Sequence, residues 1–437
     1  MAVGRPTRLA ILGLVAAALA GCGRSGPEPD APLASSPDGV DTPLVSVTPS
    51  PVNSAGDSLL IVNGTLIDGT GADPVRDSYV FVRGGRIEAR GSGPPLPAVI
   101  AEASQVIDAE GGTIMPGLID AHVHISGWLL GNEPGSGTVP ASERLLPWLQ
   151  AGFTTLRDMG TTPALFPSVK ATAGQLEDDS LAPRIVWAGP IIAAVGGYPV
   201  PVPAYAPVAR EVSSRDEARD LVNQLIDDGA TVIKLGLEQG YYEDLGWPLL
   251  DSAVISVISG TAHSRGARLT AHVTSIDELR LALDGGVDDL AHAPLEPLPD
   301  DLIAAMVRDG VGMATTATVW GRPDAQAAAA ANLKRFAEVG GVVAIATDFG
   351  CCDQTPGIEP YLVEMRFLSS VGGMSPMQLL VAATRGGAVL AGRSDIGTIE
   401  AGTVADIIIV DGDPLVDFDA LRNIRAVIKS GRVVAER

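Results

Sequence analysis

The stretch Asp120-Ala-His-Val-His124 places two histidines two residues apart at the end of an apolar run. In an extended strand, residues i and i+2 lie on the same face, so both imidazoles can reach one metal ion. The chain has only five histidines in 437 residues. His272, His292 and the acidic Asp348 likewise follow short apolar runs. Parallel barrels carry their chemistry at the carboxyl ends of their strands, so the pattern predicts a catalytic metal site.

The middle of the chain alternates short apolar segments with amphipathic ones. Arg215–Asp227 has helical periodicity, and Ser275-Ile-Asp-Glu278 is a capping box that opens another helix. Eight strands are predicted, near 113–118, 153–157, 184–188, 231–235, 268–271, 289–291, 312–316 and 342–347. This α/β alternation predicts a (β/α)8 barrel of the TIM type. An open doubly wound sheet is the alternative, but only a closed barrel brings five strand ends together.

The two segments that flank the barrel, 58–115 and 396–437, are rich in short β-branched strands. Asn63-Gly64 and Gly84-Gly85 are hairpin turn signals. We predict that both segments form one small β-sandwich domain built from the two termini, and that 116–395 forms the barrel.

Residues 1–22 have the pattern of a bacterial lipoprotein signal peptide. Arg5 and Arg8 precede a short apolar run, and Leu19-Ala-Gly-Cys22 resembles a lipobox. The run is shorter than the ~20 residues of a membrane-spanning helix. We expect lipidation at Cys22 and a location on the extracytoplasmic side of the cell envelope, with a plain signal peptide as the alternative. Residues 23–57, rich in Gly, Pro, Ser and Asp, are expected to form a disordered tether.

Composition excludes one class of partner. The formal net charge of −22 argues against nucleic acid, which needs a basic face. Apart from Cys22, the cysteines are the adjacent Cys351 and Cys352, so no disulfide framework is expected. These two are interpreted as small loop side chains, with direct metal binding as the alternative.

Lys234 lies in the apolar stretch Ala230-Thr-Val-Ile-Lys-Leu-Gly236. A charged amine inside a barrel is costly unless it is paired or neutralised. A neutral buried lysine can react with carbon dioxide, and the resulting carbamate would bridge two cations. The alternatives are that Lys234 faces outward or forms a salt bridge with Glu238. Arg157 and Asp158, after the second strand, are interpreted as residues that support the structure or the metal ligands rather than contact the substrate.

Two motifs carry a family resemblance. Pro116-Gly-Leu-Ile-Asp-Ala-His-Val-His124 resembles the first-strand signature of the amidohydrolase superfamily, and Gly397-Thr-Ile-Glu-Ala-Gly-Thr-Val-Ala-Asp-Ile407 resembles that family's return to its β-sandwich. The resemblance extends over residues 58–437. Within the superfamily the chain is most similar to the imidazolonepropionase-like metal-dependent hydrolases, which include dipeptidases that cleave Xaa-Pro or Xaa-Arg/Lys bonds.

The resemblance implies how the ligands divide between two divalent ions. His122, His124 and Asp348 would hold the first ion, and His272 and His292 the second. Carboxylated Lys234 and a hydroxide would bridge them. Zinc is the default metal for such histidine-rich sites. Relatives often assemble, which leaves a homo-oligomer open.

The predicted reaction is hydrolysis of a C–N bond in a dipeptide or N-acyl amino acid, with Asp348 carrying the proton to the leaving nitrogen. Hydrolysis of a cyclic amide, a lactone or another ester is the enzymatic alternative, and a solute-binding lipoprotein the non-enzymatic one. The candidate substrate contacts are Tyr198, Tyr241, Tyr242 and Arg322. The alternative for each is a position on the surface of a loop with no role in binding. Tyr198 stands in Gly196-Gly-Tyr198, where many relatives carry Gly-Gly-His.

Overall fold

The computed structural model describes residues 45–46, 57–127, 141–177, 181–242, 245–350 and 356–437. Cys22, Cys351, Cys352, the predicted signal peptide and almost all of the predicted tether therefore lie outside the described residues.

The strands are numbered along the chain. They are β1 (Val45–Ser46), β2 (Ser58–Leu66), β3 (Val75–Arg83), β4 (Arg86–Ser92), β5 (Gln105–Asp108), β6 (Thr113–Pro116), β7 (Leu118–Val123), β8 (Phe153–Asp158), β9 (Arg184–Trp187), β10 (Ile191–Ala194), β11 (Ala209–Val212), β12 (Val232–Gly236), β13 (Arg268–His272), β14 (Asp289–Leu290), β15 (Gly312–Ala314), β16 (Val343–Ala344), β17 (Ile407–Val410), β18 (Ile424–Lys429) and β19 (Arg432–Glu436).

The α-helices are α1 (Pro97–Glu102), α2 (Ala141–Gln150), α3 (Phe166–Glu177), α4 (Arg215–Asp227), α5 (Ser252–Ser264), α6 (Ile276–Asp284), α7 (Asp300–Asp309), α8 (Pro323–Glu338), α9 (Glu359–Ser370), α10 (Pro376–Val381) and α11 (Gly387–Leu390). Short 3-10 helices span Ala206–Val208, Ala317–Val319 and Phe418–Arg422, and a π-helical turn spans Ala382–Gly386. The predicted helix α4 and the capping box of α6 are confirmed. No helix in the described ranges is both long enough and apolar enough to cross a membrane.

Both ends of the chain contribute to one nine-stranded sheet. Its order is β1-β19-β18-β17-β6-β2-β3-β4, with β5 paired to β2. Ile61 and Val80 from the first half share one buried cluster with Ile407 and Ile428 from the second. The two ends of the chain therefore share one apolar core within this sheet.

The middle of the chain forms the barrel. Strands β7 to β9 are parallel, and so are β10 to β16. The amide of Thr231 donates to the carbonyl of Trp187 at 3.1 Å, which joins the two sheets on one side. A parallel bridge between Val123 and Phe349 joins β7 to the chain after β16 on the other. This closure brings the strand ends to one face, as the prediction of an α/β barrel required.

The first predicted barrel strand is divided between two sheets, whereas the other predicted strands differ from the observed ones only at their ends. The segment 113–118 is divided at Gly117, so that β6 belongs to the terminal sheet and β7 is the first barrel strand. The division has a physical cause. The amide of Gly117 donates to the carbonyl of Asp406, and a Cβ at this position would collide with the side chain of Thr154. The chain therefore passes from one sheet to the other at a close approach that only glycine permits.

Candidate metal centre and active site

Three side chains from the first and last strands of the barrel converge at its mouth. The Nε2 atoms of His122 and His124 are 3.2 Å apart. One carboxylate oxygen of Asp348 lies 3.3 Å from the first nitrogen and 3.2 Å from the second. His292 joins the group, because ligand atoms of His122, His292 and Asp348 all lie within 4.8 Å of one another. The barrel closure thus assembles residues that the sequence separates by more than two hundred positions.

Two of these histidines make hydrogen bonds through Nδ1. Nδ1 of His122 lies 2.9 Å from the carbonyl oxygen of Ala291, which can only accept, so this nitrogen carries the proton. Nδ1 of His292 lies 2.9 Å from the hydroxyl of Thr316. Such contacts are typical of metal-binding histidines, because they fix the ring and direct the second nitrogen toward the ion.

Asp348 provides the test of whether a cation fits. Its Oδ1 is buried and has no hydrogen-bond partner among the described residues, although both histidine nitrogens are close to it. Buried carboxylate oxygens are almost always satisfied. The lone pairs of a carboxylate and two neutral imidazoles at these distances repel one another unless a proton or a cation lies between them. This donor set of imidazole and carboxylate suits a divalent metal ion such as zinc.

The backbone holds Asp348 in place. Its amide donates to the carbonyl of His122 at 2.8 Å, and its φ of 53° lies in the left-handed region. Asp120 accepts hydrogen bonds from the amide and the hydroxyl of the preceding Thr347, at 3.1 and 2.6 Å. Burial acts to raise the pKa of Asp348, but His122, followed by His124 and His292, outweighs burial and holds this pKa well below its usual range. The carboxylate is therefore ionised.

His272 is positioned by a residue that the sequence analysis weighed only as a partner of Lys234. Its Nε2 lies 3.3 Å from the carboxylate of Glu238, so its Nδ1 is the nitrogen left for a ligand. The same carboxylate accepts from the Thr274 hydroxyl at 2.7 Å and from the amides of Gly240 and Tyr241. The ring of His272 lies 4.5 Å from that of His292 between centroids. Glu238 thus orients a candidate ligand and the loop after β12 together.

Lys234 faces the barrel interior. Its exposure is only 1%, so the alternative that it faces outward is wrong. Burial lowers its pKa to about 7, with Asp348 and Asp289 raising it and Arg157 lowering it further. The neutral amine that carboxylation requires is therefore accessible near neutral pH.

Arg157 and Asp158 both make buried structural contacts, each with a different partner. Arg157 forms a fully buried ion pair with Asp289, with three contacts of 3.0 Å. Asp158 instead accepts from the amides of Ile125 and Ser126, at 2.8 and 3.1 Å. The loop that follows His124 is therefore tied to β8, and the ion pair links β8 to β14.

Two of the four candidate substrate contacts lie against the metal-site histidines. Tyr198 stacks on His272 with ring centroids 4.3 Å apart, and Tyr241 meets Tyr198 edge to face at 5.7 Å. The other two contact each other, since the guanidinium of Arg322 lies 4.9 Å above the ring of Tyr242. Arg322 is also paired with Asp324 at the surface. His263, which was not assigned to the site, lies half exposed on α5 and is paired with Asp288.

Comparison with known proteins identifies the family. The model of the amidohydrolase family matches residues 113–434. Ochratoxinase of Aspergillus niger is 25% identical over 418 residues, with 84% of each chain covered. Imidazolonepropionase of Salinispora tropica is 26% identical over 406 residues, covering 81% of this chain and 92% of that one.

Solved structures share the fold. A Xaa-Pro dipeptidase with bound methionine has a TM-score of 0.72 at 23% identity, covering 86% of this chain and 99% of that one. The A. niger ochratoxinase structure has a TM-score of 0.74 at 21% identity, covering 88% and 96%. Members of the matched family are hydrolases that are typically metal-dependent. With a barrel, a converging histidine and aspartate site and a family match that spans most of the sequence, this chain belongs to the amidohydrolase family.

Proposed function

We propose that this protein hydrolyses the C–N bond of a dipeptide or an N-acyl amino acid. The observation that carries the proposal is the buried, unsatisfied Oδ1 of Asp348 facing the ring nitrogens of His122 and His124. Relatives named for C–N hydrolysis support the bond type: a 97-residue segment is 40% identical to N-acyl-D-aspartate deacylase of Alcaligenes xylosoxydans xylosoxydans, although it covers only 22% of this chain and 16% of that one.

The side chains at the site suit two divalent ions, with zinc as the default. His122, His124 and Asp348 would hold one ion, and His272 and His292 the other, with carboxylated Lys234 between them. Bound there, the metal supplies Lewis acidity toward a carbonyl group and makes a water molecule more acidic. The carbon dioxide for the carbamate enters as a second small cofactor.

Asp348 has the position and charge of a proton carrier. An amine leaves poorly unless its nitrogen is protonated, so one carboxylate that accepts the water proton and returns it to that nitrogen suits amide cleavage. The C–N bond breaks, the oxygen of water remains on the acyl carbon, and the amine leaves with the proton. Tyr198 and Tyr241, next to His272, and the more exposed Tyr242 and Arg322 are the candidate contacts for the rest of the substrate.

Asp348→Asn tests this role. The amide side chain keeps an oxygen for the metal but cannot carry the proton, so kcat on a panel of Xaa-Pro, Xaa-Arg and N-acyl amino acids should fall by roughly 10²–10⁴ with metal content nearly unchanged. Full activity in the variant would remove Asp348 from proton transfer. Cleavage confined to lactones or cyclic amides would move the proposal to that chemistry, and binding without turnover would favour a solute-binding lipoprotein.

The N-terminus supports a proposed location. Leu19-Ala-Gly-Cys22 would place a lipid on Cys22 and anchor the enzyme on the extracytoplasmic side of a bacterial membrane. Mass spectrometry of the mature N-terminus tests this, since an unmodified Cys22 would contradict it.

A further inference from the structure

Trp320 lies beside the candidate metal ligands with one polar atom unsatisfied. Its ring centroid is 5.4 Å from that of His292 and 6.3 Å from that of His272. The residue is only 8% exposed, and its indole Nε1 has no hydrogen-bond partner among the described residues. Buried indole N–H groups usually find an acceptor. Its neighbour Arg322, and not Trp320, was the predicted substrate contact in this segment.

The segment that carries Trp320 is fixed by two side chains from neighbouring helices. The amides of Ala317 and Thr318 donate to the buried carboxylate of Glu364 at 2.7 and 2.9 Å. The side-chain amide of Gln326 donates to the carbonyl of Trp320 at 2.6 Å. The indole N–H of Trp320 thus lies on a fixed segment and lacks an acceptor among the described residues. It is preorganised for an acceptor that belongs to the substrate.

Aromatic side chains are concentrated around this donor. They make up only 4% of the whole chain, yet the Tyr241 ring lies 6.0 Å from the Trp320 ring. Tyr241 in turn contacts Tyr198 at 5.7 Å and Trp247 at 5.6 Å between ring centroids. Rings of this kind favour a flat or broad apolar group. Their low polarity also strengthens any hydrogen bond made between them.

We propose that the Trp320 indole N–H recognises the free carboxylate of the substrate, with the surrounding rings receiving an apolar or aromatic side chain. This inference rests on the proposed N-acyl amino acid or dipeptide substrate, since both carry a carboxylate near the scissile nitrogen. An anionic acceptor gains more from a fixed N–H than a neutral one does. Arg322, the cation nearest in sequence, is engaged with Asp324 at the surface. Trp320 is thus a specificity-determining residue.

Trp320→Phe keeps an aromatic ring and removes the N–H. Two probes share the phenyl ring and the amide: racemic N-acetylphenylalanine has the carboxylate, and N-acetyl-2-phenylethylamine lacks it. The variant should raise KM for the first roughly tenfold to a hundredfold, with kcat nearly unchanged, and should leave the second within about twofold. Tyr79→Phe, in strand β3 of the terminal sheet, is the control and should change neither. Thermal unfolding checks that each variant is folded.

Binding measured by calorimetry in the Asp348→Asn background separates this inference from the proposed function. A carboxylate-dependent loss of affinity in Trp320→Phe supports the recognition role even if the wild-type chain cleaves neither probe, and such inactivity would count against the proposed function. The role of Trp320 is overturned if the variant loses the same affinity for both probes or loses affinity for neither. It is also overturned if N-acetylphenylalanine does not bind the wild-type site. If the wild-type chain cleaves the probes but Trp320→Phe affects both of them alike, this inference is overturned and the proposed function stands.

Discussion

At the scale of single residues, the site contains a buried amine, that of Lys234, which lowers the stability of the fold. Lys234 is buried beside Arg157, and burial lowers its pKa to about 7. A hydrophobic side chain of similar length would avoid that cost. The sequence could predict this position, because one lysine interrupts an otherwise apolar strand. It could not predict Glu238 or Trp320, whose roles depend on loops that meet only after the barrel closes.

Replacing Lys234 by Met should therefore stabilise the metal-free protein while removing its activity. The folded pKa of about 7 lies below the ordinary 10.5 of an unfolded lysine, so the unfolded chain binds the extra proton between these two pH values. Burying the Lys234 amine therefore lowers the free energy of unfolding by the full amount below pH about 7. This loss of stability disappears as the pH rises toward 10.5. At pH 7 the variant should gain on the order of 2–4 kcal/mol in the free energy of unfolding.

Urea unfolding with chelator in bicarbonate-free buffer, repeated from pH 6 to 10, measures this gain. The difference between variant and wild type should shrink as pH rises. Lys334→Met on α8, where the lysine is exposed and paired with Glu338, is the control and should show no such trend. A variant that is less stable than the wild type at every pH would contradict this account of Lys234.

At the scale of elements, strand ends are what the sequence predicts best. Apolar runs that end in His124, His272 and Asp348 locate three strands and their ligands. The segment 113–118 was assigned to one strand because Pro116-Gly117 interrupts its apolar run only briefly. The close approach of Gly117 to Thr154 that separates β6 from β7 is a tertiary contact, and no local pattern reveals it.

The ion pair between Arg157 and Asp289 is the element-scale link most sensitive to mutation. Among the described residues, Arg157→Met would leave the fully buried Asp289 with Arg268, at 3.5 Å, as its one ion-pair partner. Removing one partner of a buried pair costs about 3–5 kcal/mol, whereas replacing both by apolar residues is often nearly neutral. Chemical unfolding should therefore show a large loss for the single variant and a partial recovery in Arg157→Met with Asp289→Leu.

A surface pair provides the comparison. Arg308 and Asp309 are exposed neighbours on α7, so Arg308→Ala should leave stability unchanged. If Arg157→Met behaves like this surface variant, the ion pair does not hold β8 against β14.

At the scale of the whole molecule, two features of the sequence predicted the fold. They are the alternation of strands with helices and the resemblance to the amidohydrolase superfamily. The family match over 113–434 and the shared barrel confirm the amidohydrolase assignment. The β-strands from the two chain ends complete one sheet around their own core. The substrate could not be predicted in the same way, because it depends on side chains such as Tyr198 and Trp320 that arrive from different loops after the strands.

The most direct test of the central claim is metal analysis, together with amide hydrolysis, of the chain lacking residues 1–22. Wild type and Lys234→Ala would be compared. The account predicts nearly two divalent ions per wild-type chain, fewer in the variant, and loss of hydrolysis when the metal is removed, with recovery when it is restored. Undiminished hydrolysis by metal-free protein, or a wild-type chain that binds no divalent ion, would contradict it.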